Sequence, residues 1–552
     1  MAQGADGDAG NPGRSPLLSE TPLRLDYVSP LPPVRSGIAD YGVDLLPHLA
    51  ARADVRLIHL PGQPVAPEVA ARWPLVAAEE TGTEGRLPLY QMGNNRYHEG
   101  VRELALRIPG VLTLHDVVLH HLLLDLTLGR DEFLPYCEGL AWDHGWMGEA
   151  VAMAKRWHAY GEAPVFSFPA HRTLLLAQRG VLVHSAWAAG VVREECPEAR
   201  VRAIPMGVPL PPPADPAAGR ALRLRLGLPE DAPVLGSFGF QTPIKRTETA
   251  IAALAAPGLE RVHLLIVGEA AKVMDLEGEA RRAGVAERVH VQGFLPYEDF
   301  AAAIAATDLC LNLRYPTAGE TSASLLRVLA AGRPAVVSDF AQFADLPAAV
   351  AVKVPLAAER AEEAASLAAE LRRLLAAPER LHAMGEAARE HVRREHDPER
   401  SAEAVVAACR EWQALPPPGT GERAMAPPPT SIAWGDLPGE IEVSGADLPW
   451  AEGERRTIGI RLVNRGFARW LAGDRGPGGM AVVVKLLVGW HDLLAEGGRW
   501  LPLPRDLKPG EEIRLTTEIR RPLGPARLLV EPHLFGGGRL SLLGGPSWER
   551  EL

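Results

Sequence analysis

The chain has 552 residues with a net charge of −11, and 47% of its residues are hydrophobic and 23% charged. One hydrophobic core cannot serve that length, so we expect two to four globular domains. The acidic balance argues against nucleic acid as the main partner. The four cysteines lack metal or disulfide spacing, which indicates a reducing compartment. The sequence contains no apolar run of about 18 residues, so we expect no transmembrane segment.

The N-terminal part of the chain predicts a tail followed by an α/β domain. Residues 1–20 are polar and Gly-rich, which is typical of a disordered tail and not of a secretory signal. Residues 21–205 alternate short apolar strands with amphipathic helices, as in a parallel sheet covered on both faces. Residues 206–232 are rich in Pro and Ala, and they predict an inter-domain connection.

The remainder of the chain predicts a second α/β domain and then a change of texture. The alternation of strands and helices resumes over residues 233–398, and a further helix covers 399–414. Residues 415–430 are Pro-rich and predict a semi-rigid linker. Residues 431–552 hold short apolar runs between Gly and Pro turns, which predicts an all-β sandwich of about seven strands.

The stretch from Asn312 to Asp339 is the one most indicative of a binding site. A short apolar strand enters a loop of small residues, and a helix then opens at Thr321 or Ser322, either of which can cap it. Such a helix start presents unpaired N–H groups and suits a phosphate. Glu320 at its mouth could accept hydrogen bonds from sugar hydroxyls. Taken alone, the same pattern also fits an ordinary βαβ turn.

Four stretches taken together resemble a known enzyme family. They are SPLPPVRSGIADY (29–41), TLHD (113–116), GSFGFQTPIKR (236–246) and RYPTAGETSASLLRVLAAGRPAVVSD (314–339). In this order they resemble the retaining GT-B glycosyltransferases of family 4, over residues 22–413. The resemblance implies two Rossmann-like domains facing a cleft, with an N-terminal acceptor domain and a C-terminal donor-binding domain. The Asn464, Gly466 and Trp470 spacing resembles that of immunoglobulin-like accessory domains.

The resemblance also implies roles for individual residues around the cleft. It makes His115, Glu320 and Lys245 catalytic, and it makes Asp40 and Asp116 acceptor-binding. It assigns the donor nucleotide sugar to a larger set, namely Gly37, Arg246, Gly268, Thr321, Ser322, Ala323, Ser324 and Arg327. It implies no metal site.

Several of these residues have structural alternatives. His115 could be a satisfied core histidine, and Asp116 could cap the next helix. Gly268 could be a simple turn glycine. Lys245 and Arg246 could be a solvated surface pair.

Arg327 departs from the family pattern, because it stands where a glutamate usually contacts the donor ribose and it cannot accept a hydrogen bond. It could pair with a phosphate or with Glu320.

The activity implied by the resemblance is that of a retaining hexosyltransferase. The donor would be a nucleotide diphosphosugar, with GDP-mannose and UDP-hexoses as first candidates, and the acceptor a glycan or lipid-linked hydroxyl, without a cofactor. We expect a cytoplasmic protein, with peripheral contact at the inner face of a membrane left open. A sugar-nucleotide epimerase, an inverting transferase and a catalytically inactive glycan-binding scaffold remain alternatives.

Overall fold

The computed structural model describes most of the chain between residues 22 and 552. The described residues are 22–159, 161, 163–212, 215–295, 297–417, 430–431, 437–466, 468–473, 478–488, 493–494, 498–535, 538–539, 541 and 545–552. The predicted tail at 1–20 and most of the predicted linker at 415–430 lie outside these residues.

The first lobe is built on a seven-stranded parallel sheet of order β3-β2-β1-β4-β5-β6-β7. Its strands are β1 Arg24–Val28, β2 Asp54–His59, β3 Leu75–Ala77, β4 Leu87–Met92, β5 Val111–Leu114, β6 Gly180–Val183 and β7 Val201–Ala203. Its helices are α1 Gly37–Ala50, α2 Pro67–Arg72, α3 Glu99–Arg107, α4 His120–Leu126, α5 Phe133–Arg156, α6 Ala163–Ser167, α7 Arg172–Leu176 and α8 Ala186–Glu195. Helix α5 is interrupted at Gly145, where the backbone is not helical.

The second lobe is built on a six-stranded parallel sheet of order β10-β9-β8-β11-β12-β13. The strands are β8 Val234–Phe238, β9 His263–Val267, β10 Val289–Gln292, β11 Leu309–Asn312, β12 Ala335–Ser338 and β13 Ala351–Val354. The helices are α9 Pro216–Arg225, α10 Thr247–Ala253, α11 Leu276–Arg282, α12 Tyr297–Ala305, α13 Ala323–Ala330, α14 Arg360–Leu375, α15 Pro378–Glu395 and α16 Pro398–Trp412. The prediction of two doubly wound sheets is therefore confirmed.

Helix α16 returns from the second lobe to the first. It contacts α1, and its buried Trp412 lies under the guanidinium of Arg202, 5.2 Å from the ring centroid. Arg202 also pairs with Glu411 at 2.7 Å. These contacts fix the last helix of the second lobe on the first sheet, and so they set where the two sheets face each other.

The C-terminal part is all-β, as predicted. Its strands are β14 Gly439–Ser444, β15 Arg455–Asn464, β16 Met480–Val488, β17 Leu493–Leu494, β18 Arg499–Pro502, β19 Glu512–Arg520, β20 Ala526–Leu534, β21 Gly538–Arg539 and β22 Trp548–Glu551. They form two antiparallel sheets, β14-β15-β19 and a larger one around β16 and β20. Trp450 and Trp470 are buried between them. Asn464 accepts from the Gly466 N–H and donates to the Ala468 carbonyl, which forms the predicted turn. The immunoglobulin-like topology stays a prediction.

Candidate functional site

A cleft of about 850 Å³ lies where the carboxyl ends of the two parallel sheets face each other. The first lobe contributes the loop at 32–38, Asp40 and Asp44 of α1, and His115 and Asp116 after β5. The second lobe contributes the residues after β8, β9 and β10 together with the β11–α13 loop. Ligands of doubly wound sheets bind at this edge, so the cleft is the candidate site.

The β11–α13 loop delivers a helix start to the cleft, as predicted from Thr321 and Ser322. Ser322 is the N-cap: its hydroxyl accepts from the Leu325 N–H at 3.3 Å and donates to Asn312 Oδ1 at 3.1 Å. Thr321, Ser322, Ala323 and Ser324 all line the cleft. The first N–H groups of a helix have no intrahelical acceptor, so this end can receive an anion.

Lys245 reaches the same part of the cleft. Its ammonium donates to the Phe238 carbonyl at 2.5 Å, and Arg314 is the strongest neighbouring charge. Burial holds the pKa of Lys245 well below its usual value, and Arg314 lowers it further. Gly239 makes room for this ammonium: its φ is +87°, and a Cβ there would lie 3.0 Å from Nζ.

Arg314 is a cleft residue to which the sequence reasoning gave no role. Its side chain is 7% exposed, and Nε lies 3.3 Å from Oε1 of Glu320. Nε nevertheless lacks an acceptor in hydrogen-bonding geometry, so the contact is an ion pair only. Its place in the sequence could have indicated a role in the site. Arg314 lies two residues after the end of β11, and residues that follow the strands of a parallel sheet line the cleft. Lys245 and Arg314 therefore form the cationic pair of the second lobe.

Arg246 does not belong to that pair, and its contacts do not favour the prediction that it binds the donor. It adopts φ +52°, and its guanidinium forms an ion pair with Glu363 of α14. Glu363 is fully buried, so Arg246 compensates a buried charge. Arg246 is not among the residues that line the cleft. Lys245 and Arg246 are thus adjacent in sequence but make different contacts. Lys245 lines the cleft, and Arg246 pairs with Glu363.

Glu320 lines the cleft with its carboxylate held inside the β11–α13 loop. Oε2 accepts from the Thr317 hydroxyl at 2.8 Å and from the Ala318 N–H at 3.1 Å. Gln342 donates to the Glu320 backbone carbonyl at 2.7 Å. The side chain is therefore oriented before any ligand binds, and it retains lone pairs that can accept from hydroxyls.

His115 lines the cleft, but both of its ring nitrogens have partners within the first lobe. Nδ1 lies 3.2 Å from Nε2 of His184, and Nε2 lies 2.9 Å from the Gln91 side chain. His184 in turn contacts the Ile204 carbonyl at 3.0 Å. Burial lowers the pKa of His115, and the neighbouring His184 adds to that effect. These contacts favour the satisfied core histidine over a catalytic group.

Asp116 faces Glu320 from the other lobe. It accepts from the Asn94 N–H at 2.9 Å, and it does not cap α4, whose N-cap is Leu119. The capping alternative is therefore wrong. Burial raises the pKa of Asp116 to about 7, and the charge of Glu320 adds to that rise.

The start of α1 and its first turns form the rest of the first lobe's wall. Ser36 caps this helix by accepting from the Ile38 N–H, so Gly37 is its first residue. Asp40 lines the cleft, and burial raises its pKa. Arg327 of α13 pairs with Asp44 at 3.0 Å rather than with Glu320.

Contacts between described residues join the lobes across the cleft. Besides Arg327–Asp44, the Val118 N–H donates to the Ala318 carbonyl at 3.0 Å. Arg35 lies 3.5 Å from a Glu269 carboxylate oxygen, and its guanidinium covers Phe294 at 4.7 Å from the ring centroid. The structure thus has the two walls in contact around the cavity.

Gly268 lies at the cleft as predicted, and its backbone also explains why it is glycine. Its φ is +129°, and a Cβ there would lie 2.4 Å from the Gly239 carbonyl oxygen. The close approach of the β8 and β9 ends is sufficient to require glycine. The turn alternative therefore has a structural basis that does not depend on a ligand.

Solved structures with the same arrangement of two lobes were found. A sucrose-phosphate synthase from Thermosynechococcus elongatus superposes with a TM-score of 0.52 at 18% identity, over 70% of this chain and 98% of that one. The Anabaena protein HepE in complex with UDP gives 0.51 at 15% identity, over 70% and 100%. The chain has the GT-B fold. The predicted fold class is confirmed.

Sequence comparisons agree with the GT-B assignment over part of the chain. Residues 246–407 match the family model described as "Glycosyl transferase-like". A D-inositol 3-phosphate glycosyltransferase of Segniliparus rotundus is 34% identical over 223 residues, which are 38% of this chain and 47% of that protein. A 2-deoxystreptamine glucosyltransferase of Streptomyces kanamyceticus is 31% identical over 126 residues, 22% and 32% of the two chains. The chain spans half or less of these relatives, which support a relationship to the GT-B glycosyltransferases.

The described residues offer neither a membrane-spanning helix nor a cluster of metal ligands. No described helix has the length and apolarity needed to cross a membrane. No group of three or more His, Cys, Asp or Glu side chains in the described part of the chain has a metal-binding arrangement.

Proposed function

We propose that this chain is a glycosyltransferase that moves a sugar from a nucleotide diphosphosugar to an acceptor hydroxyl, with retention at the anomeric carbon. One observation carries the proposal. Lys245, Arg314 and the start of α13 all lie on the second lobe's wall of one cleft, opposite a wall that carries Asp40 and Asp116. The first set suits a diphosphate, and the second suits hydroxyl groups.

The second lobe would stabilise the leaving group. In the reaction the bond between the anomeric carbon and the β-phosphate oxygen breaks, and negative charge grows on that oxygen. Lys245, Arg314 and the N–H groups of Ala323 and Ser324 would be positioned for this charge before the reaction begins. The burial that lowers the pKa of Lys245 disfavours its charged form, and a bound diphosphate would reverse that effect.

The acceptor oxygen forms the new bond to the anomeric carbon on the face that the phosphate leaves. Its proton passes to the departing phosphate, so this scheme requires no protein nucleophile and no metal. Glu320 and Asp116 would accept hydrogen bonds from sugar hydroxyls on the two sides of the cleft. Contacts between the lobes would exclude water from the reacting centre and limit donor hydrolysis.

The substrates are proposed by class. The HepE neighbour was solved with UDP and with UDP-glucose, and GDP-mannose remains a candidate beside the UDP-hexoses. We propose a glycan or a lipid-linked oligosaccharide as the acceptor, with the enzyme in the cytoplasm or at the inner face of a membrane.

A thermal-shift screen of nucleoside diphosphates tests the phosphate site directly. A ligand at 100 times its Kd should stabilise the protein by about 2.7 kcal/mol. Lys245→Ala should abolish the shift, and the exposed Lys272→Ala should keep it. If no nucleoside diphosphate raises the Tm of the wild-type protein, the proposal fails.

Turnover assays separate the remaining alternatives. NMR of the product's anomeric proton distinguishes retention from inversion. Conversion of the donor into a different nucleotide sugar, without an acceptor and without release of nucleoside diphosphate, indicates an epimerase. If the protein binds glycan but consumes no nucleotide sugar in a donor panel, it is a catalytically inactive glycan-binding scaffold and the transferase proposal is wrong.

A further inference from the structure

The outer face of the larger C-terminal sheet combines an exposed tryptophan and a partly buried phenylalanine with a buried charge network. Trp500 of β18 is 49% exposed. The Phe535 ring stacks on it with a centroid distance of 5.7 Å and an interplanar angle of 24°, and His533 meets it edge-on at 5.1 Å. We call Trp500 and Phe535 the aromatic shelf. It lies far from the cleft in sequence, and the proposed transfer reaction does not use it.

Strand register explains why these side chains share one face. Trp500 pairs with Val483 of β16, and Val483 pairs with Glu531 of β20. Alternate residues of a strand point to the same side, so His533 lies two positions along on the same face as Glu531. The intervening residues Val482, Val530 and Leu534 face the sandwich core. The shelf is therefore on the side of the sheet opposite the core.

A charge network lies beside the shelf. The Lys485 ammonium donates to Glu531 Oε1 at 2.8 Å and lies 3.3 Å from Nε2 of His533. Ser541 donates to Glu531 Oε2 at 2.5 Å. Glu531 is 1% exposed and has both oxygens occupied. Arg539, half exposed, lies 3.8 Å from the same carboxylate.

The network fixes the orientation of the groups around the shelf. Nε2 of His533 lies 3.3 Å from the Lys485 ammonium and 3.3 Å from Oε1 of Glu531, so both partners hold the imidazole in place. The Lys485 side chain is 11% exposed and belongs to the buried network, whereas about half of the Arg539 side chain is exposed at the rim. A buried ion pair costs desolvation energy, so it is a weak source of stability.

We propose that the aromatic shelf binds a pyranose ring of a glycan chain. The ring's C–H face is apolar and can pack on the exposed part of Trp500 beside Phe535, while its hydroxyls project sideways to the half-exposed Arg539. An exposed aromatic ring alone would suit any apolar partner. The adjacent N–H donors of Arg539 match the hydroxyl rim of a sugar. This site lies outside the transfer cleft, and its existence does not depend on the proposed transferase activity.

The test measures binding of the full-length protein to soluble oligosaccharides of two to eight sugars, both neutral and uronate-bearing, on an array and then by calorimetry. Trp500→Ala should weaken binding about tenfold or more, since aromatic anchors dominate such contacts. Trp500→Phe should keep part of the affinity. Leu523→Ala removes a more exposed apolar side chain, 79% accessible, from the same domain and should leave binding unchanged.

Further measurements keep this site distinct from the cleft. Lys245→Ala should bind the oligosaccharide as the wild type does, and UDP or GDP should not displace it. Unaltered Tm values would show that Trp500→Ala folds. The proposal is overturned if no oligosaccharide binds, or if binding survives Trp500→Ala. It is also overturned if Trp500→Ala instead abolishes self-association, which would mean that a second copy covers the shelf.

Discussion

The two walls of the cleft differ in charge, and each holds charges that burial opposes. The second lobe presents Lys245, whose pKa is lowered, beside Arg314. The first lobe presents Asp40 and Asp116, whose pKa values are raised. In both walls desolvation is the largest cause of the shift. The comparison indicates that a bound diphosphate would favour the charged form of Lys245 on one wall, and that a polyol could donate hydrogen bonds to the carboxylates on the other.

We call the second lobe's wall the cationic wall, because Lys245 and Arg314 line the cleft there. The largest effect should come from Lys245 on this wall. Lys245→Ala removes a charge positioned for the leaving oxygen, so we expect kcat to fall by about 10²–10³, as for a lost oxyanion donor. Steady-state kinetics at saturating donor measure this. Lys272→Ala, in an exposed position of the same lobe, should keep the wild-type rate. A loss below tenfold for Lys245→Ala would contradict the assignment of the cationic wall.

The next prediction separates Arg314 from Arg246. Arg314→Ala should weaken binding of a nucleoside diphosphate about 10- to 100-fold, because a charged hydrogen bond to phosphate is lost. Arg246→Ala should leave affinity unchanged and lower the free energy of unfolding by about 3–5 kcal/mol, since Glu363 is left buried and unpaired. Calorimetry gives the affinities, and denaturant unfolding gives the stabilities.

A double variant controls the Arg246 prediction. Arg246→Met combined with Glu363→Leu removes the buried charge together with its partner, so most of the lost stability should return. If Arg246→Ala instead weakens diphosphate binding as strongly as Arg314→Ala does, Arg246 leaves Glu363 and contacts the ligand in the bound state.

The first lobe's wall, which carries Asp40, Asp44 and Asp116, is called the acidic wall here. Its Asp116 predicts a stability that depends on pH. Its pKa of about 7 in the folded protein exceeds the usual value near 3.8, so the folded state binds this proton more tightly. Stability is therefore lost as pH rises from about 4 to about 7. Asp116→Asn removes the titration and should raise the Tm by about 2–4 °C at pH 8, with little change at pH 4.

Two comparisons sharpen the Asp116 prediction. Glu320→Gln removes the neighbouring charge, so the pKa of Asp116 should fall and the pH-dependent interval should narrow. Asp345→Asn changes an exposed carboxylate of the second lobe and should leave the Tm difference independent of pH. A Tm gain from Asp116→Asn that is equal at pH 4 and pH 8 would exclude the titration as its cause.

The difference between the walls also explains what sequence reasoning could and could not predict. The period of apolar residues and the caps identified the sheets, and they narrowed the start of α13 to Thr321 or Ser322, of which Ser322 is the cap. The directions and contacts of individual side chains were harder to predict from the sequence. Lys245 and Arg246 are adjacent in sequence, but the positive φ of Arg246 turns it toward Glu363. His115 depended on His184, which lies 69 residues away, and no local pattern encodes that contact.

The smallest effect concerns the contact between the walls, Arg327–Asp44. Both side chains are about a quarter exposed, so we expect a coupling of about 0.5–1 kcal/mol in a double-mutant cycle of unfolding free energies. Since Arg327 is bound to the acidic wall, Arg327→Ala should change donor KM by less than about threefold, or ~0.7 kcal/mol. The exposed Arg393–Glu390 pair, altered by Arg393→Ala, provides a control without contact to the cleft. A tenfold rise in donor KM for Arg327→Ala would mean that this arginine leaves Asp44 and contacts the donor. Arg327 would then belong to the cationic wall, and the division between the two walls would have to be redrawn.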